Sequence, residues 1–305
     1  MSEFLAIEIG GTKLQLFAGT GDGEILRRWR HDVDAARGGA GIRAQIESAL
    51  PEILRTHDIA AVGVGYGGPV DWRTGHICCS HQVEGWADFP LGDWLHERTG
   101  RRVVIDNDAN CGALGEALRG AGRGSNPIFY VTLGSGVGGG LAVEGRIFHG
   151  AKPGESEIGH VRLDKTGTIV EQRCSGWAVD RAVRTAMQED ASSALARAAA
   201  GLERGQARAL VPALQQHCPF AQRILSAMAD DLAFGLSHIT HLVHPEVIVL
   251  GGGLSFVGEP LRGAVEAALG QYVMDAFAPG PRVRLTELRE DAVPVGALLL
   301  AAAKG

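Results

Sequence analysis

The sequence predicts an α/β protein built twice, with two mixed-sheet domains flanking a cleft. Three observations predict it. Glycine turns interrupt strand-like runs at two places, "EIGGTK" (8–13) and "GSGVGG" (134–139). A buried strand-like run ending in glycines also occurs twice, "IAAVGVGYGG" (59–68) and "PEVIVLGGG" (245–253). Both pairs come in the same order, turn first, and a repeated order of elements implies a repeated architecture.

The elements follow in sequence. "FLAIEIGGTKLQLFAG" and "EILRRWRHDV" supply the strands of the first half, and a helix-like stretch follows from about Ile42 to Leu54 before the buried strand at 59–68. "VVIDNDANCGALGEAL" (103–118) reads as a strand breaking into an Ala/Gly-rich helix. In the second half "IFYVTLGSGVGGGLAVEG" repeats the strand, turn and strand, and long helical segments lead to the second glycine-ended strand. Between Gly134 and Gly252 the second half is about 60 residues longer than the first is between Gly10 and Gly67, and we place the excess between roughly 146 and 205. The expected domains are 1–116, completed by a C-terminal helix over 292–305, and 117–291 with a helical insertion. The Ala-rich part of that insertion, about 177–200, reads as packing and as a surface for a homodimer.

Composition limits the partners. At 305 residues, 45% hydrophobic and 21% charged, the chain has the make-up of a globular protein with room for two cores. A net charge of -6 with no basic run argues against nucleic acid. No apolar run reaches the roughly 18 residues of a membrane span. Residues 1–4 lead directly into a strand and leave no room for a signal peptide, so a cytoplasmic protein is expected. The five cysteines (78, 79, 111, 174 and 218) show no CxxC spacing and read as free thiols, with neither disulfide nor zinc indicated.

The glycine turns suit phosphate, because backbone N–H groups can approach phosphate oxygens where no Cβ intervenes, and Thr12 adds a hydroxyl. Taken alone, "EIGGTK" is explained equally well by a plain hairpin. "GSGVGG" matches the dinucleotide fingerprint GxGxxG, but that fingerprint must open a helix and here "GLAVEG" continues as a strand, so a Rossmann site is rejected. The corner "DNDAN" (106–110) places Asp106, Asn107, Asp108 and Asn110 where a buried strand meets a helix. One Asx residue would cap that helix. Four ask for chemistry as well.

"EIGGTK", "GPVD" (68–71), "NDANCGALGE" (107–116), "TLGSGVGGG" (132–140), "ESEIGH" (155–160) and "PEVIVLGGG", in that order, resemble the ROK family of sugar kinases and sugar-responsive repressors. The likeness runs from Ile7 to about Gly253. It implies the duplicated actin/hexokinase-like (ribonuclease H-like) fold and an ATP-dependent kinase for a hexose hydroxyl, glucose being favoured. Fructose, mannose, N-acetylglucosamine and N-acetylmannosamine are the other candidate substrates, and polyphosphate is an alternative donor. Asp108 matches the family's catalytic base; a hydroxyl attacks phosphorus effectively only when a positioned carboxylate accepts its proton.

The resemblance also implies sugar contacts from Gly68, Asn107, Asp108, Glu157 and His160. Nucleotide contacts are implied for Gly10, Gly11, Thr12, Lys13, Thr132, Gly134, Ser135, Gly136, Gly252 and Gly253. Glu8 stands where an aspartate is often found and could act through water on the Mg²⁺ that accompanies ATP. His81, Gln82 and Glu84 fall where relatives place a sugar-contacting loop, although an ordinary exposed loop fits them as well. The chain departs from the pattern after His160. Many relatives carry a cysteine-rich zinc loop there, whereas "VRLDKTGTIV" contains no cysteine. The family's terminal glutamate keeps its spacing to a Ser-Gly pair as Glu171 in "EQRCSG", so Glu171 is expected on the sugar, Cys174 is not a ligand, and no zinc site is expected. A repressor would need a DNA-binding domain ahead of Gly10, where none is expected. A catalytically silent sugar-binding protein is disfavoured by Asp108.

Overall fold

The computed structural model describes residues 2–303 apart from 12, 80–82, 153 and 155. The elements are β1 (Glu3–Ile9), β2 (Lys13–Thr20), β3 (Ile25–Asp32), α1 (Gly38–Thr56), β4 (Ile59–Tyr66), β5 (Val70–Asp71), β6 (His76–Ile77), α2 (Leu91–Thr99), β7 (Arg102–Asn107) and α3 (Asp108–Arg119). They continue with β8 (Ile128–Leu133), β9 (Val137–Val143), β10 (Arg146–Ile147), α4 (Val170–Cys174), α5 (Gly176–Glu189), α6 (Ala194–Ala199), α7 (Leu210–Gln215), α8 (Pro219–Val243), β11 (Val247–Gly251), α9 (Glu259–Tyr272), β12 (Arg282–Leu285) and α10 (Ala292–Ala302).

The duplication is literal. One sheet runs β3-β2-β1-β4-β7 and the other β10-β9-β8-β11-β12. In each, a glycine turn joins the first two strands in chain order, and the last two lie parallel beside the first of them. Because β9 continues as a strand through Val143, "GSGVGG" opens no helix, and the rejection of a dinucleotide site stands. The helical excess of the second half occupies residues 148–218, between β10 and α8, a little longer than expected.

Contacts divide the chain into two compact units. The first is Met1–Gly124, Gly140–Ser156 and Leu288–Gly305; the second is Ser125–Gly139 and Glu157–Glu287. The cut differs from the expected 116/117 because α3 runs on to Arg119, and because 140–156 packs with the first unit. A Cβ at Gly140 would stand 2.4 Å from the Ala109 carbonyl, so β9 crosses α3 at glycine distance.

Within the first unit, strand alternation sends Leu5, Ile7 and Ile9 to one face, where Ile42, Ile46 and Ile53 of α1 and Leu91 and Leu95 of α2 cover them. Ala6 and Phe17 face the opposite way, onto Cys111 of α3 and Ala297 and Leu298 of α10. The α3–α10 crossing is close: a Cβ at Gly296 would lie 1.7 Å from the Cys111 carbonyl, and one at Gly115 2.5 Å from the Ala292 carbonyl. α1 starts at Gly38 rather than near Ile42, because buried Gly39 lets the chain approach residues 84–85, its N–H donating to the Glu84 carbonyl at 2.7 Å.

Candidate active site

In the first unit the three parallel strands bring their C-terminal ends to one edge. Register pairs Ile9 with Tyr66 and Tyr66 with Asn107, and the Gly67 N–H donates to the Ile9 carbonyl at 2.8 Å. Gly10, Gly67–Gly68 and Asn107–Asp108 therefore meet although far apart in sequence. The four polar residues of the corner sort themselves. Asn107 is the N-cap of α3, its Oδ1 accepting from the Ala109 N–H at 2.8 Å and the Asn110 N–H at 3.3 Å, while its Nδ2 donates to the Gly68 carbonyl at 3.2 Å. Asp106 Oδ1 accepts from the Asn107 N–H and from Asn110 Nδ2, and its Oδ2 meets His149 Nε2 at 2.6 Å. Asp108 is the first residue of α3 and half-buried. Its Oδ2 lies 3.3 Å from where a Cβ on Gly67 would stand, and the helix dipole favours its charge there.

The first glycine turn is closed by the Gly10 N–H donating to the Lys13 carbonyl at 3.0 Å. Beneath it Glu8, 8% exposed, has both oxygens engaged: Lys13 Nζ lies 3.2 Å from Oε1, and Gln15 Nε2 donates to Oε2 at 2.9 Å. Burial pushes the Glu8 carboxyl up from its ordinary value, against the pull of Lys13. Glu8 thus holds Lys13 and Gln15 in place beneath the turn. Among the described residues no group of three or more His, Cys, Asp or Glu is placed to hold a metal ion.

In the second unit the turn after β8 is closed by the Gly134 N–H donating to the Gly136 carbonyl at 3.0 Å, and the Gly176 N–H at the start of α5 donates to the Gly134 carbonyl at 2.7 Å. Glu171, in α4, accepts the Val137 N–H on Oε2 at 2.9 Å. A Cβ on Gly136 would sit 2.5 Å from that oxygen. Gly136 thus makes room for Glu171, which the sequence did not reveal. Glu157 and His160 flank a single 3-10 turn over Ile158–His160; both are exposed while Ile158 and Gly159 are buried. Residues 161–170, where the zinc loop was expected to be missing, fold as a hairpin. The Val170 N–H donates to the Val161 carbonyl at 3.0 Å and the Leu163 N–H donates to the Thr168 carbonyl at 2.8 Å. The hairpin end is tied by Asp164 Oδ1, which accepts from Thr166 N–H, Thr166 Oγ1 and the Gly167 N–H at 2.7, 2.6 and 2.9 Å. His160 and Glu171 adjoin the two ends of this hairpin. Cys174 is buried, its thiol directed at the Met228 carbonyl, and burial holds its pKa far above the usual thiol range.

Glycines distinguish structural from reserved positions. Gly252 has φ of 75° and a Cβ there would collide with the Leu133 backbone at 2.6 Å, so the fold itself requires it. Gly10, Gly134 and Gly253 do not have positive φ, and a Cβ at any of them would meet nothing in the chain closer than 3.4 Å. Their missing side chains leave open space at the turns rather than room for a neighbour within the fold. Thr132 stands opposite Gly251 on β8, Ser135 is exposed at the turn tip, and Gly11 lies in the first turn. Glu84 is exposed. Thr12, His81 and Gln82 lie outside the described residues. Sequence reasoning missed Trp72, His149 and Gln15; only their placement beside the corner and beside Glu8 singles them out.

A duplicated sheet with glycine turns on each half and a carboxylate at a strand-to-helix corner defines the actin/hexokinase-like class of phosphoryl-transfer folds. The ROK family model matches residues 4–304. The chain belongs to the ROK family. It is 31% identical over 303 residues to a glucokinase of Thermotoga maritima, covering 97% of this chain and 96% of that one. It is 32% identical over 308 residues to a glucokinase of Halalkalibacterium halodurans, covering 96% and 93%. A solved ROK family glucokinase from Streptomyces griseus, in complex with glucose and AMPPNP, superposes with a TM-score of 0.87 at 28% identity, covering 98% of this chain and 99% of that chain.

Proposed function

We propose that this protein is an ATP-dependent hexose kinase with glucose as its first substrate. The observation that carries the reading is the place of Asp108: it is the first residue of α3, at the edge where the parallel strands of the first unit end, with its Oδ2 3.3 Å from where a Cβ on Gly67 would stand. Asp108 accepts the proton of the attacking sugar hydroxyl. Gly68, Asn107, Glu157, His160 and Glu171 contact the sugar. Gly10, Gly11, Thr12 and Lys13, with Thr132, Gly134, Ser135, Gly136, Gly252 and Gly253, hold the nucleotide. Magnesium, arriving with ATP, neutralises phosphate charge. The reading places the enzyme in the cytoplasm as a homodimer, with Trp177, 55% exposed on α5, beneath the second copy.

A coupled assay of glucose, mannose, fructose, N-acetylglucosamine and N-acetylmannosamine, each with ATP and with polyphosphate, tests the function. Turnover highest with glucose and ATP supports it; no turnover with any pair refutes it. The same reading requires no zinc, since the hairpin at 161–170 closes through Asp164. Elemental analysis should give well under one zinc per chain, and a chelator should not lower Tm. Stoichiometric zinc would contradict that part.

A further inference from the structure

Asp106 is 2% exposed, one residue from the corner that carries Asn107 and Asp108. A buried carboxylate is tolerated only when its lone pairs are filled. Oδ1 is filled from within the corner, by the Asn107 N–H at 2.8 Å and Asn110 Nδ2 at 2.9 Å. Oδ2 is met from outside it, by His149 Nε2 at 2.6 Å. The His149 ring is itself held, stacked on Trp72 at 4.1 Å with the planes 16° apart. Gly154 fits against both rings: a Cβ there would lie 3.0 Å from His149 Cδ2 and 3.1 Å from Trp72 Cδ1. Its carbonyl accepts from Asn110 Nδ2 at 3.1 Å, and Lys152 pairs with Asp71 beside Trp72. His149 and Gly154 thus tie the chain to the corner at two places, and the chemistry proposed above uses neither residue.

We propose that His149 is a positioning residue for phosphoryl transfer, a role that rests on the kinase reading. Through Asp106 it fixes the backbone from which Asp108 projects. His149 donates from Nε2 to Asp106 Oδ2, Asp106 grips the Asn107 N–H, and Asn107 caps the helix that begins with Asp108. Removing the donor leaves a buried carboxylate one bond short, and the corner must relax to re-solvate it. Displacement of a catalytic group by even part of an ångström lowers turnover more than binding.

The test compares His149→Phe, which keeps the stack on Trp72 but loses the donor, with His149→Gln, which restores an N–H donor. The Phe variant should lower kcat about 10-fold with KM for glucose and ATP within about twofold, and the Gln variant should recover most of the loss. In an Asp106→Asn background the Phe change should cost little more, because the pair acts as one unit. Hydrogen exchange of the peptide covering 104–112 gives a readout independent of turnover and should quicken in the Phe variant and not in the Gln variant. Unchanged kcat with unchanged exchange would overturn the proposal, as would a loss that Gln does not rescue. Absence of sugar phosphorylation by the wild-type protein would refute the kinase reading instead, and the exchange comparison would then decide whether His149 holds the corner.

Discussion

Gly136 and Glu171 compete for one space. With a Cβ on residue 136 placed 2.5 Å from Glu171 Oε2, Gly136→Ala should push the carboxylate off the Val137 N–H. Gly134 offers a contrast, because a Cβ there meets only the Gly136 carbonyl at 3.9 Å. Steady-state kinetics should therefore show Gly136→Ala and Glu171→Ala each raising KM for glucose several-fold, and Gly134→Ala raising KM for ATP with glucose KM nearly unchanged. Equal effects of the two alanines on both substrates would mean that the turn acts as one structural piece. At this scale the sequence was partly legible. That "DNDAN" mixes capping with chemistry was readable; which residue does which was not, since Asn107 became the cap through the ψ of β7, and Asp106 was consumed by a histidine 43 residues away. Glu8 was readable as a carboxylate below the turn but not as one with both oxygens engaged, because its partner Gln15 comes from the neighbouring strand.

Elements hold these residues through backbone pairing. The hairpin at 161–170 joins the segment bearing His160 to the helix bearing Glu171, and Asp164 closes its end. The hydrogen bonds from Thr166 and Thr168 hold the Asp164 carboxyl well below the usual carboxylate range. A depressed folded pKa contributes stability that is present above the unfolded value, about 3.9 for aspartate, and is lost as pH falls through the folded one. Asp164→Ala should thus lower Tm by a few degrees at pH 7, with the gap to wild type narrowing as pH drops below about 4. Because Asp164 is solvent-exposed, the effect on sugar KM is the more telling readout, and KM for glucose should rise while kcat holds. A gap in Tm that stays constant from pH 7 to pH 3 would show that the carboxylate does not close the hairpin. That no cysteine lies between His160 and Glu171 was legible in the sequence. The hairpin that spans the interval was not, because "DKTGT" forms its turn through side-chain bonds that a residue count does not reveal.

The whole molecule repeats one device: parallel strands end at a common edge and glycine turns cap them. Two glycine turns and two glycine-ended strands in matching order were enough to predict the duplicated sheets, since strand order follows from which runs are buried and which turns are tight. The division into units was harder to read, because the chain passes between them at 124/125, 139/140, 156/157 and 287/288, and two of those passages fall inside continuous runs of sequence. The claim on which the account depends is that Asp108 accepts the proton of a hexose hydroxyl during phosphoryl transfer. Asp108→Asn preserves size and hydrogen bonding while removing the base, and its kinetics with glucose and ATP, alongside its glucose Kd, test that claim most directly. The account predicts a kcat lower by about 10²-fold or more with glucose Kd nearly unchanged; a variant that turns over at close to the wild-type rate would contradict it.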